Sequence, residues 1–390
     1  MLRGNIRVFS AVSSLIGASM VIVSVLLQPY MLSVGASMAF VGLFVALGSM
    51  GGLISAFVQP FGGWLSDRKG RKLFILFGNI QFLMALAFMT LAGVFHNWLF
   101  FVPALICLGL SWIINPALNA AIAESVDRHE RSMAYSVVMF FRMLPAILIS
   151  AATGLIADTF GFPGAFLIGI LFQVVGASLV LCFMQETIRT GSQRSKMQLT
   201  EFTKTMIIPE RKLRSFTLVM ASDAFFWGIG AAILFGLLSK TYNFSGFQLG
   251  IMWSILCISL ACSQLIMGRL VQKYGCKKFL MLSEVIGILL MTGWLSFKSF
   301  ETFALLQIPY GLVISAWVPA INTFVANHTT EKSRAEAIGK LAAFRGIISF
   351  PAPYIGGLLY DVTGFETPIT AGLMGIALTL ILMWRFIHES

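Results

Sequence analysis

The chain has 390 residues, 58% of them hydrophobic and only 11% charged, and its mean hydropathy of +0.88 excludes a water-soluble fold with a charged skin. Its net charge of +11 is dispersed over many connections and forms no single patch. That distribution excludes a nucleic-acid surface and fits membrane topology and contact with anionic membrane lipids.

A membrane-crossing helix needs about 20 mostly apolar residues, and twelve stretches qualify. In chain order they read Val8 to Leu32, Ala39 to Trp64, Leu73 to Val94, Trp98 to Ile122, Met133 to Ala157, Gly164 to Met184, Phe216 to Leu238, Phe247 to Val271, Phe279 to Phe297, Phe303 to Val325, Ala335 to Leu359 and Pro368 to Ile387. Arg3 and Arg7 precede the first stretch, but it is longer than a signal-peptide core and runs on into another span, so it reads as helix 1. The only long polar connection follows the sixth stretch, about Glu186 to Arg214, with one interfacial helix expected from Met197 to Ile208. The expected division is a six-helix bundle over residues 1–185, a linker over 186–213 and a second six-helix bundle over 214–390.

Odd-to-even connections on one side hold only Lys240 and Lys298. The other side holds Arg68, Lys69, Arg71 and Lys72, then Arg128 and Arg131, the central block, Arg269, Lys273, Lys277 and Lys278, and finally Lys332, Arg334 and Lys340. The positive-inside rule then puts both termini in the cytoplasm of a multi-pass protein of the plasma (inner) membrane.

The chain repeats itself. Pro116-Ala117-Leu118-Asn119 faces Pro319-Ala320-Ile321-Asn322 at a separation of 203 positions, and Phe141-Arg142, Gly154-Leu155, Asp158, Gly161 and Phe162 face Phe344-Arg345, Gly357-Leu358, Asp361, Gly364 and Phe365. At 205 positions Gly63, Leu65, Gly70 and Lys72 face Gly268, Leu270, Gly275 and Lys277. Helices 7 to 12 copy helices 1 to 6, an arrangement that suggests alternating access with a substrate site between the halves.

From Gly62 to Lys72 an Asp and four cations surround a glycine turn. Gly63, Leu65, Asp67, Arg68, Gly70, Arg71 and Lys72 make a complete match to the G-x-L-x-D-R-x-G-R-K loop, and the chain thereby resembles the major facilitator superfamily (MFS) over its whole length. The resemblance implies an all-α membrane protein with the MFS fold, twelve transmembrane helices in two pseudo-symmetric bundles. It also implies that Asp67 latches the cytoplasmic side against the start of helix 11, near Glu331 to Arg334, and that Glu124 belongs to a charge network with Arg71. The bland alternatives are topogenic cations and an ordinary solvated helix end at Glu124. In the second copy Gln272 replaces the Asp, so that latch is expected to be weaker.

An ionisable group inside a span costs roughly 2.5–3.5 kcal/mol and is a functional candidate by default. Four qualify: Arg142, Asp223, Glu284 and Arg345. Asp223, followed by Phe225, Phe226 and Trp227, reads either as a proton- or substrate-linked group or as a hydrogen-bonding member of the bundle. Glu284 reads as structural, able to snorkel to the interface. Arg142 and Arg345 occupy equivalent places in helices 5 and 11 and read as gating or packing residues ahead of substrate contacts. Gln28, Asn115, Asn119, Gln307 and Asn322 are neutral cavity candidates, with Trp112, Trp227 and Trp317 as apolar walls; each also fits a plain interhelical role. Pro residues supply kinks, and Gly48, Gly51 and Gly52 are expected to permit close helix contact.

Within the superfamily, Gln28-Pro29-Tyr30 and Gly35-Ala36-Ser37 resemble the drug/proton antiporter branch. Leu105 stands where that branch carries Arg, and Ile149-Ser150 followed by Thr153-Gly154 stands where it carries Gly-Pro and Gly-Gly; the second half keeps Pro353-Tyr354-Ile355-Gly356-Gly357. No phosphate loop, hydrolase motif or cysteine pair at ligand spacing is present, so no enzyme, cofactor, metal or disulfide is expected. The reading is a functionally monomeric secondary transporter, exporting a lipophilic or cationic solute in exchange for protons. Metabolite uptake or uncoupled facilitation, and a non-transporting membrane sensor, are its alternatives.

Overall fold

A computed structural model of the chain describes residues 4–127, 130–187, 211–329 and 334–387. The expected interfacial helix, most of the linker and Glu331 to Ser333 fall outside them. Sixteen α-helices and no strands occur among the described residues. They are α1 (Asn5–Ser33), α2 (Met38–Gly48), α3 (Leu53–Lys69), α4 (Arg71–Val94), α5 (Phe101–Ser111), α6 (Ile114–Glu124), α7 (Arg131–Leu148), α8 (Ser150–Phe183), α9 (Arg214–Gly230), α10 (Leu234–Tyr242), α11 (Gly246–Tyr274), α12 (Cys276–Ser296), α13 (Phe300–His328), α14 (Arg334–Ser349), α15 (Ala352–Thr363) and α16 (Glu366–Phe386). Among the described residues ten helical stretches are long and apolar enough to cross a membrane, and Met133–Leu148 is a shorter apolar helix. The chain is an all-α, multi-pass membrane protein.

Five of the expected spans are not single rods in this form. The second breaks between α2 and α3 at Ser49 to Gly52, where Gly51 meets open space; this glycine interrupts the helix instead of packing it. The eleventh breaks between α14 and α15 beside Pro351, whose missing N–H leaves the ladder one donor short. The fourth, fifth and seventh break at Trp112-Ile113, Ile149 and Ala231 to Ile233. The range of α8 holds two helices that meet at a kink at Gly161, φ 76°, where the connection between spans five and six is expected. Gly364 repeats that turn 203 positions on, at φ 86°.

Two compact units divide the chain. One comprises Met1–Ala36, Leu47–Lys196 and Ser245–Ser254; the other comprises Ser37–Ala46, Met197–Phe244 and Ile255–Ser390. Each therefore includes a ten-residue segment drawn from the other half of the sequence. Within the first, α1 packs on α7 and α8 while α4 packs on α5 and α8; within the second, α9 packs on α14 and α16 while α12 packs on α13 and α16. The neighbour pattern is the same in both, which gives the sequence repeat its structural meaning.

Side-chain burial follows from a solvent of hydrocarbon. Phe160, Val362, Met374 and Trp384 point outward at 78%, 82%, 69% and 68% exposure, a distribution that water would penalise and lipid does not. Inside the first unit Tyr30 lies between Phe162 and Phe166, with centroids at 4.9 and 5.1 Å, and its hydroxyl donates to the Met89 carbonyl at 2.8 Å. Inside the second, Trp227 stacks on Tyr310 at 5.8 Å, and Trp294 meets Tyr310 edge-on at 5.7 Å.

Gly70 lies at φ 113°, and a Cβ there would stand 2.7 Å from a Glu186 carboxyl oxygen. Gly70→Ala is expected to cost about 1–3 kcal/mol, read as a lowered unfolding midpoint in detergent. Gly268→Ala, in open space at the repeat position of Gly63, is expected to leave that midpoint unchanged or raise it.

Candidate functional site

The glycine turn at residues 67–72 is built around one guanidinium. Helix α3 stops at Lys69 because Gly70 adopts a left-handed backbone that other residues resist, and α4 begins at Arg71. Glu186 caps this new helix: its two oxygens accept from the backbone N–H groups of Arg71 at 3.0 Å and Lys72 at 3.1 Å, where the helix dipole favours an anion. The Arg71 side chain is only 9% exposed. It pairs with Asp67, donates to Ser66 Oγ at 2.7 Å, and reaches Glu124 through Nη2 at 2.9 Å and Nε at 3.3 Å. Thr187 Oγ1 donates to the other Glu124 oxygen at 2.6 Å. Arg68 lies over the Trp64 ring at 3.8 Å. Asp67, its side chain 58% exposed, is thus engaged by a cation of its own loop, while Glu331 to Ser333, where its opposite partner was expected, lie outside the described residues.

The second copy keeps the geometry without the acid. Gly275 has φ 96°, and the Lys277 ammonium donates to the Trp384 carbonyl at 2.8 Å just as Lys72 donates to that of Leu181 at 2.8 Å.

The four intramembrane ionisable groups fall into two unequal sets. In the first unit Arg142 donates to the Asn115 side-chain oxygen at 3.1 Å, a neutral partner. In the second, the repeat-equivalent Arg345 lies over the Trp317 ring at 4.3 Å, and the Trp317 indole donates to Asp223 Oδ2 at 3.0 Å. Asp223 is 1% exposed. Glu284, read as a structural residue able to snorkel, is completely buried. It faces α9, and the Asp223 carboxyl lies beside it. The signal in the sequence for an inward face is Gly287, one turn on from Glu284: the missing Cβ there makes room for the Trp227 indole, which a side chain would meet at 2.5 Å.

The neutral candidates are scattered. Trp112 donates to the Gly48 carbonyl at 3.1 Å. Gln307 is buried and donates to Phe303 O at 3.1 Å. The Asn119 carbonyl accepts from Tyr135 at 2.7 Å with its side chain exposed; Asn322 is likewise exposed and Gln28 half-buried. A cavity of about 430 Å³ in the first unit is lined by Arg7, Ser10, Ala11, Ser14, Leu15 and Phe141, none of which was a candidate.

Sequence reasoning used Asp158 and Asp361 only as markers of the repeat. Each is a clasp. Asp361, near the end of α15, accepts from the backbone N–H groups of Met38 at 3.2 Å and Ala39 at 2.8 Å, the start of α2, and its Oδ1 also meets Lys240 at 3.2 Å. Asp158, in α8, accepts from those of Gly246 and Phe247 at 2.8 Å each, the start of α11. These helix starts belong to the two ten-residue segments that each unit draws from the other half. Small residues let the backbones touch: a Cβ on Gly357 would strike the Met38 carbonyl, and one on Gly154 would strike that of Gly246. Ser37 and Ser245, 208 positions apart, add matching hydroxyl caps to Phe40 and Gln248.

The sequence profile of the Major Facilitator Superfamily matches residues 8–238 and 215–390. Multidrug resistance protein MdtG of Salmonella schwarzengrund (strain CVM19633) is 27% identical over 327 residues, spanning 83% of this chain and 80% of the relative. The Salmonella typhi protein of the same name is 26% identical over the same shares. Among solved structures, the nucleoside transporter NupG aligns at a TM-score of 0.74 with 16% identity, covering 98% of both chains. A D-xylose-proton symporter aligns at 0.70 with 15% identity, covering 98% of this chain and 97% of the other. At these identities the structures speak for the fold alone.

A carboxylate bonded to two exposed helix N–H groups is worth about 1–2 kcal/mol. Asp361→Asn is therefore expected to speed backbone hydrogen exchange in residues 37–46 by roughly 5–30-fold, and Asp158→Asn to do the same in residues 245–254. Each change should leave the other segment untouched, because the clasps share no residue. Unchanged exchange in the matching segment would mean that the carboxylates hold nothing.

Proposed function

The chain belongs to the Major Facilitator Superfamily, and on that premise we propose that it is a secondary active transporter exporting a lipophilic or cationic organic solute in exchange for protons by alternating access. The observation that carries this reading is Asp223, an acid 1% exposed inside the second unit with a tryptophan N–H on one oxygen. Such a group is retained where a proton or a cation has to be held. Arg345 already answers this acid, and no lysine enters the set, so a phosphate or dicarboxylate substrate would find no free cation there. The multidrug resistance names of the MdtG relatives support the same substrate class.

In this reading the protein works as a monomer in the plasma (inner) membrane, with both termini cytoplasmic and with six-helix bundles over 1–185 and 214–390 joined by a linker. Gly63, Asp67, Arg68, Gly70, Arg71, Lys72 and Glu124 form the cytoplasmic latch; Arg142 and Arg345 act as gates. The Asp158 and Asp361 clasps are made in one state of the cycle and broken in the other. Proton exchange is favoured over uptake or uncoupled facilitation by the buried acid. The departures at Leu105 and Ile149-Ser150 keep uncoupled facilitation as a second reading.

Purified protein in liposomes, given tetraphenylphosphonium and an imposed pH gradient, tests this. Wild type is expected to move the cation against the proton gradient. Asp223→Asn should lose at least about tenfold in proton-driven flux, a barrier change of about 1.4 kcal/mol, with its unfolding midpoint preserved. Flux indifferent to the pH gradient in wild type would favour facilitation. Asp67→Ala is expected to lower turnover several-fold while leaving the cation's affinity unchanged; unaltered turnover would dismiss the latch.

A further inference from the structure

Glu284 lies in α12 with no exposed surface, and neither of its oxygens has a hydrogen-bond partner in the structure. On the same face of α12, one turn on, Gly287 leaves room for the Trp227 indole of α9, which a Cβ there would meet at 2.5 Å; Asp223 lies one turn before Trp227 on α9, and its charge acts on Glu284. Asp223 spends Oδ2 on the Trp317 indole and leaves Oδ1 without a donor. Two carboxylates cannot bond each other, since both only accept; with a proton on one of them the facing oxygens become donor and acceptor.

Charge balance points the same way. Arg345 supplies one positive charge near Asp223, so Arg345, Asp223 and a protonated Glu284 together are neutral. Loss of the proton leaves one uncompensated negative charge in the interior, which is unfavourable by several kcal/mol.

Among the described residues no other charged group is placed to compensate it. Helix α16 carries its charges, Glu366 and Arg385, at its ends, and α13 likewise carries Glu301 and His328 at its ends while offering the phenol of Tyr310 and the ring of Trp317 in between. Lys277 and Lys278 sit at the start of α12, and Lys277 is bonded to Trp384 O. Arg214 opens α9, more than two turns from Asp223; Lys340 lies more than one turn from Arg345 on α14; and Asp361 of α15 is engaged at the start of α2.

We propose that Asp223 and Glu284 form one acid pair holding a single shared proton, and that Glu284 gives this proton up to water when an organic cation enters, the cation replacing the charge that leaves. The transfer is balanced: Glu284 loses a proton, no covalent bond to the solute forms, and the set returns to neutrality with the cation bound. The aromatic faces of Trp227, Tyr310 and Trp317 suit a soft, lipophilic cation; Trp317 already carries the Arg345 guanidinium on one face. This inference rests on the export reading for its ligand, but the shared proton stands independently of it.

Infrared spectroscopy of the full-length protein in detergent separates the two. At neutral pH wild type should show the carbonyl band of a protonated carboxylic acid; Glu284→Gln should lose it and Asp223→Asn should shift it, each keeping the wild-type unfolding midpoint. Glu301→Gln, an exposed acid, should leave the band in place. Saturating tetraphenylphosphonium should bleach the band in wild type and release a proton detectable by an indicator dye in weak buffer. A wild type without the band, or a band that survives Glu284→Gln unshifted, overturns the shared proton. A cation that binds without bleaching it overturns the exchange and leaves the pair. A wild type that neither binds nor moves the cation overturns the substrate class of the export reading, and the pair is then decided by the band alone.

Discussion

A charge or an unpaired peptide group in hydrocarbon has no water to turn to, and the clasps, caps and arginine contacts described above are arranged under that constraint. It fits the two breaks at Ser49 to Gly52 and beside Pro351, where the residues themselves favour leaving the helix. It also explains why the intramembrane arginines meet an amide oxygen or an indole face, and why each helix start discussed above has a carboxylate or hydroxyl in front of it. Glu186 in front of α4, Asp361 in front of α2 and Asp158 in front of α11 are three instances of one solution: an acid satisfies two orphan N–H groups and meets the favourable end of the helix dipole.

The duplication supplies a common scaffold on which the two units have diverged in chemistry. Gly70 and Gly275, Gly161 and Gly364, Lys72 and Lys277, Asp158 and Asp361 do equivalent work in each copy. Arg142 and Arg345 do not. The first meets a neutral asparagine, whereas the second stands at the head of a set that includes two acids and two tryptophans. The acid of the glycine turn shows the opposite bias, being kept as Asp67 and replaced by Gln272. Mechanical parts are duplicated, and charge-handling parts are held in one copy each.

The two ten-residue segments, 37–46 and 245–254, link these themes. Their helices begin with a serine cap, meet a glycine of their partner helix at backbone contact and are held by a single aspartate. A contact made of backbone atoms and one acid buries little apolar surface, so its strength is set by a few hydrogen bonds. Such a contact is reversible on the scale of 1–2 kcal/mol. It suits the reversible role proposed for the two clasps.

Hydropathy and period alone determined that this chain is a bundle of membrane helices, because an apolar run of about 20 residues has few other fates. The repeat of Pro116 and Pro319 or Asp158 and Asp361 determined that its halves are copies, and the string from Gly62 to Lys72 determined the family. What the sequence could not decide was which polar residues meet. Asp158 and Asp361 were visible as a pair but silent as clasps, since their partners are peptide N–H groups, which every residue carries. Glu284 looked able to reach the interface because linear position gives depth but not azimuth; only the packing of α9, α12 and α13 turns it inward and sets it beside Asp223. The glycines at 51 and 52 matched a packing motif and proved to mark a break. Local sequence fixes backbone preference, whereas the pairing of buried charges depends on which faces of distant helices come together, and that is decided only when the chain has folded.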